Sequence, residues 1–142
     1  LVLSLHLFAV LHRLKAAGEA GFELAQALTD RFDEDMETVL REVGIGDLAI
    51  RKKMRRLAAS SAGVLQAYEK ALGVGEEALA AAISKALPAE AAQAEASIKR
   101  LTHYLTRMLH RLERQDIDAL AAGEVQFPGN VAEEVGEDEE RC

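Results

Sequence analysis

Apolar residues recur at helical spacing along most of the chain, and glycines and a proline divide this pattern into segments. Residues 1–17 are apolar on nearly every side when wound as a helix, which is typical of a helix at the centre of a fold. The pattern predicts an all-α, single-domain helical bundle of about five to six helices. After the first, helices are expected over residues 22–43, 48–72, 75–87, 90–115 and 116–123.

Two of these segments separate apolar from polar residues clearly. The second carries an apolar stripe made of Ala25, Leu28, Phe32, Met36, Val39 and Val43. The third places a basic run opposite its apolar side, made of Arg51, Lys52, Lys53, Arg55 and Arg56. Because cations near a helix N-terminus oppose the macrodipole, we expect a partner to use this run. The fifth segment has a second basic face, with Lys99, Arg100, His103, Arg107 and His110.

A short corner with two glycines joins the second and third segments. Gly44 follows the last apolar residue of the second helix, where a left-handed residue usually closes the final turn. Gly46 is expected to give the backbone freedom, and Asp47 to be the N-cap of the third helix. Helices joined by so few residues pack as antiparallel or steeply crossed neighbours.

Composition supports a soluble helical protein with an aliphatic core. The 142 residues are 49% hydrophobic and 29% charged, and tryptophan is absent. Of the net charge of -7, the last ten residues account for -5, so residues 131–142 are expected to form an acidic, flexible tail. The apolar opening run is too short for the ~20 residues of a membrane span. Since it lacks an initiator methionine, we expect the chain to be a piece of a longer protein.

No catalytic constellation, cofactor motif or metal site is predicted. None of the four histidines lies in a Glu-x-x-His or HExxH pattern, and Cys142 is the one cysteine. Asp35, at the border of the apolar stripe, could be a general base with a raised pKa, but pairing with an arginine or lysine of a neighbouring helix is favoured. An enzyme acting on a small molecule would need a pocket where polar groups converge.

The basic run has two interpretations. It could be a solubilising face, or it could contact phosphate groups of RNA or of anionic lipids. Aromatic residues that would stack on bases are missing beside it, so sequence-specific recognition of single strands is disfavoured, and no DNA partner is expected.

Four stretches of the chain occur in an order that matches a known family: LHLFAVLHRL, AQALTDRFDEDMETVLREVGIGDLAIRKKMRR, QAYEKAL and VQFP. They resemble the ubiquinol-cytochrome c chaperone family, helical assembly factors for ubiquinol-cytochrome c reductase in mitochondria and related bacteria. The longest contains Asp35, Met36, Leu40, Arg41, Glu42, Gly44, Gly46, Asp47, Leu48, Lys52, Lys53 and Met54 in the family's pattern. The chain departs from that pattern where Ser61 and Ala62 precede Gly63 and Val64 follows it, so lighter packing is expected there.

The resemblance implies a non-enzymatic helical domain over residues 1–130 that holds newly made cytochrome b. It also implies a location beside the inner membrane in the bacterial cytoplasm, or in mitochondria for a eukaryotic protein. A small helical partner protein, the ribosome and an anionic membrane surface remain open as further partners, as does an RNA-binding module without a client. The corner is expected to contain the partner-binding residues Asp35, Arg41, Glu42, Asp47, Arg51, Lys52, Lys53, Arg55 and Arg56, with Gly44 and Gly46 shaping it.

Overall fold

A computed structural model describes residues 1–89 and 94–129, and these form six helices. The predicted all-α fold is confirmed. The expected acidic tail and residues 90–93 of the expected fifth helix lie outside the described residues. The helices are α1 (Val2–Lys15), α2 (Glu19–Glu42), α3 (Asp47–Val74), α4 (Glu76–Ala86), α5 (Glu95–Glu113) and α6 (Ile117–Ala121).

Helix α1 packs against α2, α3 and α5, which confirms its predicted central place. Its buried side consists of Leu5, Phe8, Ala9, Leu11 and Leu14. The other side is only partly covered, since Val2 and Leu3 are 59% and 57% exposed. Although apolar residues lie on nearly every side of α1, the helix is therefore buried on one side only.

The main core lies where α1, α4, α5 and the C-terminal third of α3 meet. Phe8 of α1 contacts Tyr68 of α3 edge to face, with ring centroids 5.4 Å apart. From α5, Leu105, Met108 and Leu112 are completely buried. We call this part of the molecule the body. Its other buried apolar residues include Leu5, Ala9, Ala71, Leu79, Ile83 and Leu120.

The remainder of α2 and α3 is built differently from the body. In α2 only Gly21 and Ala25 are buried, and in α3 only Ile50 is buried before Tyr68. The two helices pack against each other. We call residues 26–61 the hairpin. The stripe of α2, expected to face a core, is buried only at Ala25 and is half-buried or exposed beyond it.

Two glycines explain how α2 is placed against α1 and how α3 ends. A Cβ on Gly21 would collide with the Leu14 carbonyl oxygen, so glycine permits the close approach of α1 and α2. The third helix was expected to end at residue 72, before Gly73, but it runs to Val74. Gly75, with φ +146°, then separates α3 from α4.

Residues 125–128, with the sequence VQFP, follow α6 and are attached to the body. The side-chain amide of Gln115 donates to the Gln126 carbonyl at 2.7 Å and accepts from the Gln126 N–H at 2.9 Å. Phe127 contacts the ring of His6 edge to face at 4.9 Å. Residues near 126 are therefore fixed against both α1 and the end of α5.

In the stretch that departs from the family pattern, Val64 packs against the core, whereas Gly63 faces open space. Ser61 is half-buried, and a Cβ on Gly63 would meet no atom within 4 Å. The lighter packing expected around Ser61 stays a prediction.

Candidate functional site

The corner between α2 and α3 is a specified backbone turn. Gly44 has φ +83°, the left-handed conformation predicted for it. Its N–H donates to the Arg41 carbonyl at 2.9 Å, and the Ile45 N–H donates to the Leu40 carbonyl at 3.2 Å. This pair of bonds is the Schellman arrangement, in which a glycine ends a helix and the last carbonyls find donors.

The predictions for Gly46 and Asp47 were wrong. Gly46 has φ -69° and ψ 150°, which most residues adopt, and it is Gly46 that occupies the N-cap position of α3. Asp47 is the first helical residue, and its side chain makes no capping hydrogen bond. The physical reason is a shift of one residue, because an aspartate side chain reaches the free amides of the first turn best from the N-cap position, where the backbone is not yet helical.

Arg41 connects the two helices across the corner. One guanidinium nitrogen, Nη2, lies 2.6 Å from Glu37 Oε1, and the other, Nη1, lies 3.3 Å from Asp47 Oδ1. The hydrogen bond to Glu37 and the charges of Glu37 and Asp47 raise the pKa of Arg41. Since these groups are exposed, the contact orients side chains more than it stabilises the fold.

Among the described residues, Asp35 pairs within its own helix and not with a neighbouring one, so that prediction was wrong. Its Oδ1 lies 3.0 Å from Nη2 of Arg31, four residues earlier in α2, and its side chain is 53% exposed. An arginine at this spacing reaches the carboxylate without leaving its own helix. Asp35 is therefore a surface residue beside a cation, outside any enclosed pocket of the described structure.

The five cations of the basic run are all exposed, as predicted. Within residues 1–89 and 94–129, none of them forms an ion pair with an acid, although Arg55 Nε donates to the Arg51 carbonyl at 3.4 Å. The first of them, Arg51, is the fifth residue of α3. Because the macrodipole acts mainly within the first turn, the expected conflict with it is weak.

An open groove of about 670 Å³ brings only some of the predicted residues together. Asp35, Glu42, Lys52, Lys53 and Arg56 do not line it, and Glu42 is simply exposed. The lining contains two apolar residues from α3 beside charged residues from both helices: Glu37, Arg41, Asp47, Ile50, Arg51, Met54 and Arg55.

Sequence reasoning missed three exposed apolar residues around the corner. Leu48 is 89% exposed, Val43 is 68% exposed and Val39 is 47% exposed. The two valines belong to the stripe that was expected to face a core. Leu48 could have been found from the sequence, because it lies four and seven residues before Lys52 and Arg55 and so shares their face of the helix.

Two of the four histidines join elements of the body. His6 Nε2 is 3.1 Å from the Tyr104 hydroxyl, and His12 Nδ1 is 3.0 Å from Glu69 Oε2. His103 and His110 are exposed on α5, as predicted for the second basic face. Across the part of the chain that the structure describes, no cluster of three or more histidine, cysteine or acidic side chains could hold a metal ion. In that same part, no helix is both long and apolar enough to span a bilayer.

Comparisons with known proteins identify the family. The model of the ubiquinol-cytochrome C chaperone family matches residues 1–127. The crystal structure of the Cbp3 homolog from Brucella abortus has a TM-score of 0.76 with this chain at 35% sequence identity, covering 92% of this chain and 71% of that one. A search of curated proteins gives no significant match. The chain therefore belongs to the ubiquinol-cytochrome c chaperones, the assembly chaperones of ubiquinol-cytochrome c reductase.

Proposed function

We propose that this assembly chaperone holds newly made cytochrome b, and that it does so on the hairpin. The observation that carries the proposal is the uncovered end of the α2 stripe, where Val39 and Val43 are 47% and 68% exposed. They lie four residues apart, so they form one ridge along the helix. An apolar ridge on a helix is the kind of surface that receives an apolar helix of a partner.

The energetics favour a client that covers this ridge. Full burial of a valine side chain stabilises a complex by about 1.5 kcal/mol or more, and these two side chains still have about half of that burial to gain. The body offers a weaker case, because most of its large apolar residues are buried in the core. Its exposed Val2 and Leu3 are adjacent in α1, so they do not form one ridge. A hydrophobic subunit awaiting assembly supplies the apolar surface that would cover the ridge.

The proposed role is holding, without chemistry on the client. Membership of a chaperone family implies a non-enzymatic function. At the corner, the charged groups of Arg41, Glu37 and Asp47 already pair with one another, so they are not poised around a substrate. Because its client is a membrane subunit, we place the chaperone beside the inner membrane while it works.

Co-purification tests the proposal. The tagged protein is isolated from detergent-solubilised cells that assemble ubiquinol-cytochrome c reductase, and cytochrome b is measured by immunoblot. We expect the double substitution Val39→Gln and Val43→Gln to reduce recovery at least tenfold, which corresponds to about 1.4 kcal/mol.

The matched control is Val2→Gln with Leu3→Gln, which removes two apolar side chains of similar exposure, 59% and 57%, from α1. This control should recover cytochrome b like the wild type. Equal recovery with all three proteins would show that the ridge does not hold this client. Circular dichroism of each variant checks that the helical fold is kept.

A further inference from the structure

We propose that the basic run of α3, together with Leu48, docks on an anionic phospholipid bilayer, with the Leu48 side chain entering the interfacial region. This inference adds a second surface to the proposed function, which places the client on α2. The apolar contact and the charges would act together, as they do in helices that lie on membranes.

Leu48 lies on the cationic face of α3 and is available for an apolar contact. At about 100° per residue, Leu48, Lys52 and Arg55 lie within about 60° of one another on α3. The buried Ile50 and half-buried Met54 lie on the opposite side. A leucine that is 89% exposed therefore points away from the protein in the middle of a cationic face.

The charges carry the second step. The basic run has no acidic partner within the described residues, so its five cations are available to an external anion. Each lysine or arginine near an anionic membrane surface strengthens binding by about fivefold. Five such residues around one apolar side chain complement a surface that is anionic outside and apolar a few ångströms below.

The same observations favour a bilayer over RNA. Bound RNA would use the cations, but an aliphatic side chain has no base to stack on, and no aromatic residue lies in the basic run. The basic face of α5 provides an internal comparison. None of the strongly exposed large apolar residues in the described structure lies on α5, so the combination of charge and apolar side chain belongs to α3.

A single-tryptophan experiment tests the insertion of Leu48. The chain contains no tryptophan, so Leu48→Trp introduces one reporter. The control is Val74→Trp, at a site that is 81% exposed and about 39 Å away along the same helix. Both proteins are mixed with vesicles of equal parts phosphatidylglycerol and phosphatidylcholine, with and without brominated acyl chains.

We expect the emission of the Leu48→Trp protein to shift to the blue and to be quenched by brominated lipid, while the Val74→Trp protein shows neither effect. Pure phosphatidylcholine vesicles should give neither effect with either protein. Vesicle binding without quenching of the Leu48→Trp protein, or equal quenching of both proteins, would overturn the proposal.

Charge neutralisation tests the second half of the proposal. The triple variant Lys52→Gln, Lys53→Gln and Arg56→Gln is made in the wild-type background, and its binding to the anionic vesicles is measured by sedimentation. We expect this binding to be weaker on the order of a hundredfold. The control loses three exposed cations from α5, through Lys99→Gln, Arg100→Gln and Arg111→Gln. It should lose less than tenfold.

Equal losses in the two triple variants would overturn the assignment to α3. Binding of the protein to an unstructured RNA oligonucleotide, without any binding to vesicles, would also overturn the proposal. These experiments use purified protein and lipid without a client, whereas the co-purification contains client and no bilayer. Either proposal can therefore fail while the other stands.

Discussion

The body and the hairpin contain the same kinds of aliphatic residue, but the two regions use them differently. In the body, apolar stripes from α1, α3, α4 and α5 meet, and their central residues are buried. In the hairpin, the two helices pack mainly against each other, and after Ala25 no residue of α2 is buried. A stripe is buried only when enough neighbouring helices surround it. The body is therefore where we expect most of the stability to reside, and the hairpin is where apolar surface is left for the proposed client.

The largest expected difference between the regions is the effect of truncating a leucine. Leu105→Ala in the body removes a side chain with 0% exposure, and should lower the free energy of unfolding by about 2–5 kcal/mol. Leu48→Ala in the hairpin should change it by less than about 0.5 kcal/mol. Urea unfolding followed by circular dichroism measures both. Similar losses would mean that the hairpin contributes to the core.

The corner should show a smaller and more local effect. Gly44→Ala places a side chain at φ +83° and should cost about 1–2 kcal/mol of unfolding free energy. Gly46→Ala, at φ -69° with open space around the position, should change it by less than about 1 kcal/mol, because alanine reduces the entropy of the unfolded chain but is a poorer N-cap than glycine. The same urea experiment compares them. A greater loss at Gly46 would contradict the assignment of the turn to Gly44.

The smallest effect concerns two buried tyrosines of the body and should differ in sign between them. The Tyr68 hydroxyl is buried without a hydrogen-bond partner among the described residues, so Tyr68→Phe should stabilise by about 1 kcal/mol. Tyr104 instead bonds to His6 at 3.1 Å, and Tyr104→Phe should cost about 1 kcal/mol. Thermal and urea unfolding at neutral pH check these signs. Stabilisation by both substitutions would show that the His6 bond contributes nothing.

Burial also raises the pKa of Tyr68, which predicts a pH dependence. The unfolded chain ionises Tyr68 first, near its ordinary pKa of about 10. Below that pH, Tyr68 is neutral in both states and its contribution to folding stability is constant. That stability is lost as the pH rises from about 10 through the raised pKa of the folded state. The stability advantage of Tyr68→Phe should therefore grow above about pH 10 and stay constant below it. A constant advantage across that range would contradict this assignment.

Local features of the fold could be predicted because they depend on nearby residues. Gly44 was recognised because a left-handed glycine after a helical stripe follows from backbone sterics. The exposure of the basic run followed from charge. Asp47 was misplaced as the cap because a shift of one residue changes which group faces the free amides. The predicted partner of Asp35 was wrong because it was placed on a neighbouring helix, whereas Arg31 lies four residues earlier on the same helix.

The exposure of Val39 and Val43 could not be predicted in the same way. Helical periodicity indicates which side of a helix is apolar, but it does not indicate how many other helices cover that side. The stripe of α2 and the stripe of α5 look alike in the sequence. Only the positions of the neighbouring helices distinguish a core stripe from a ridge open to a partner.

The central claim, that the hairpin receives the client, is tested most directly by photo-crosslinking in cells that assemble the reductase. A benzophenone amino acid replaces Val43, at the uncovered end of the α2 stripe, or Val74, which is 81% exposed at the other end of α3. We expect a crosslinked adduct with cytochrome b from position 43 and none from position 74. An adduct from position 74 alone would contradict it.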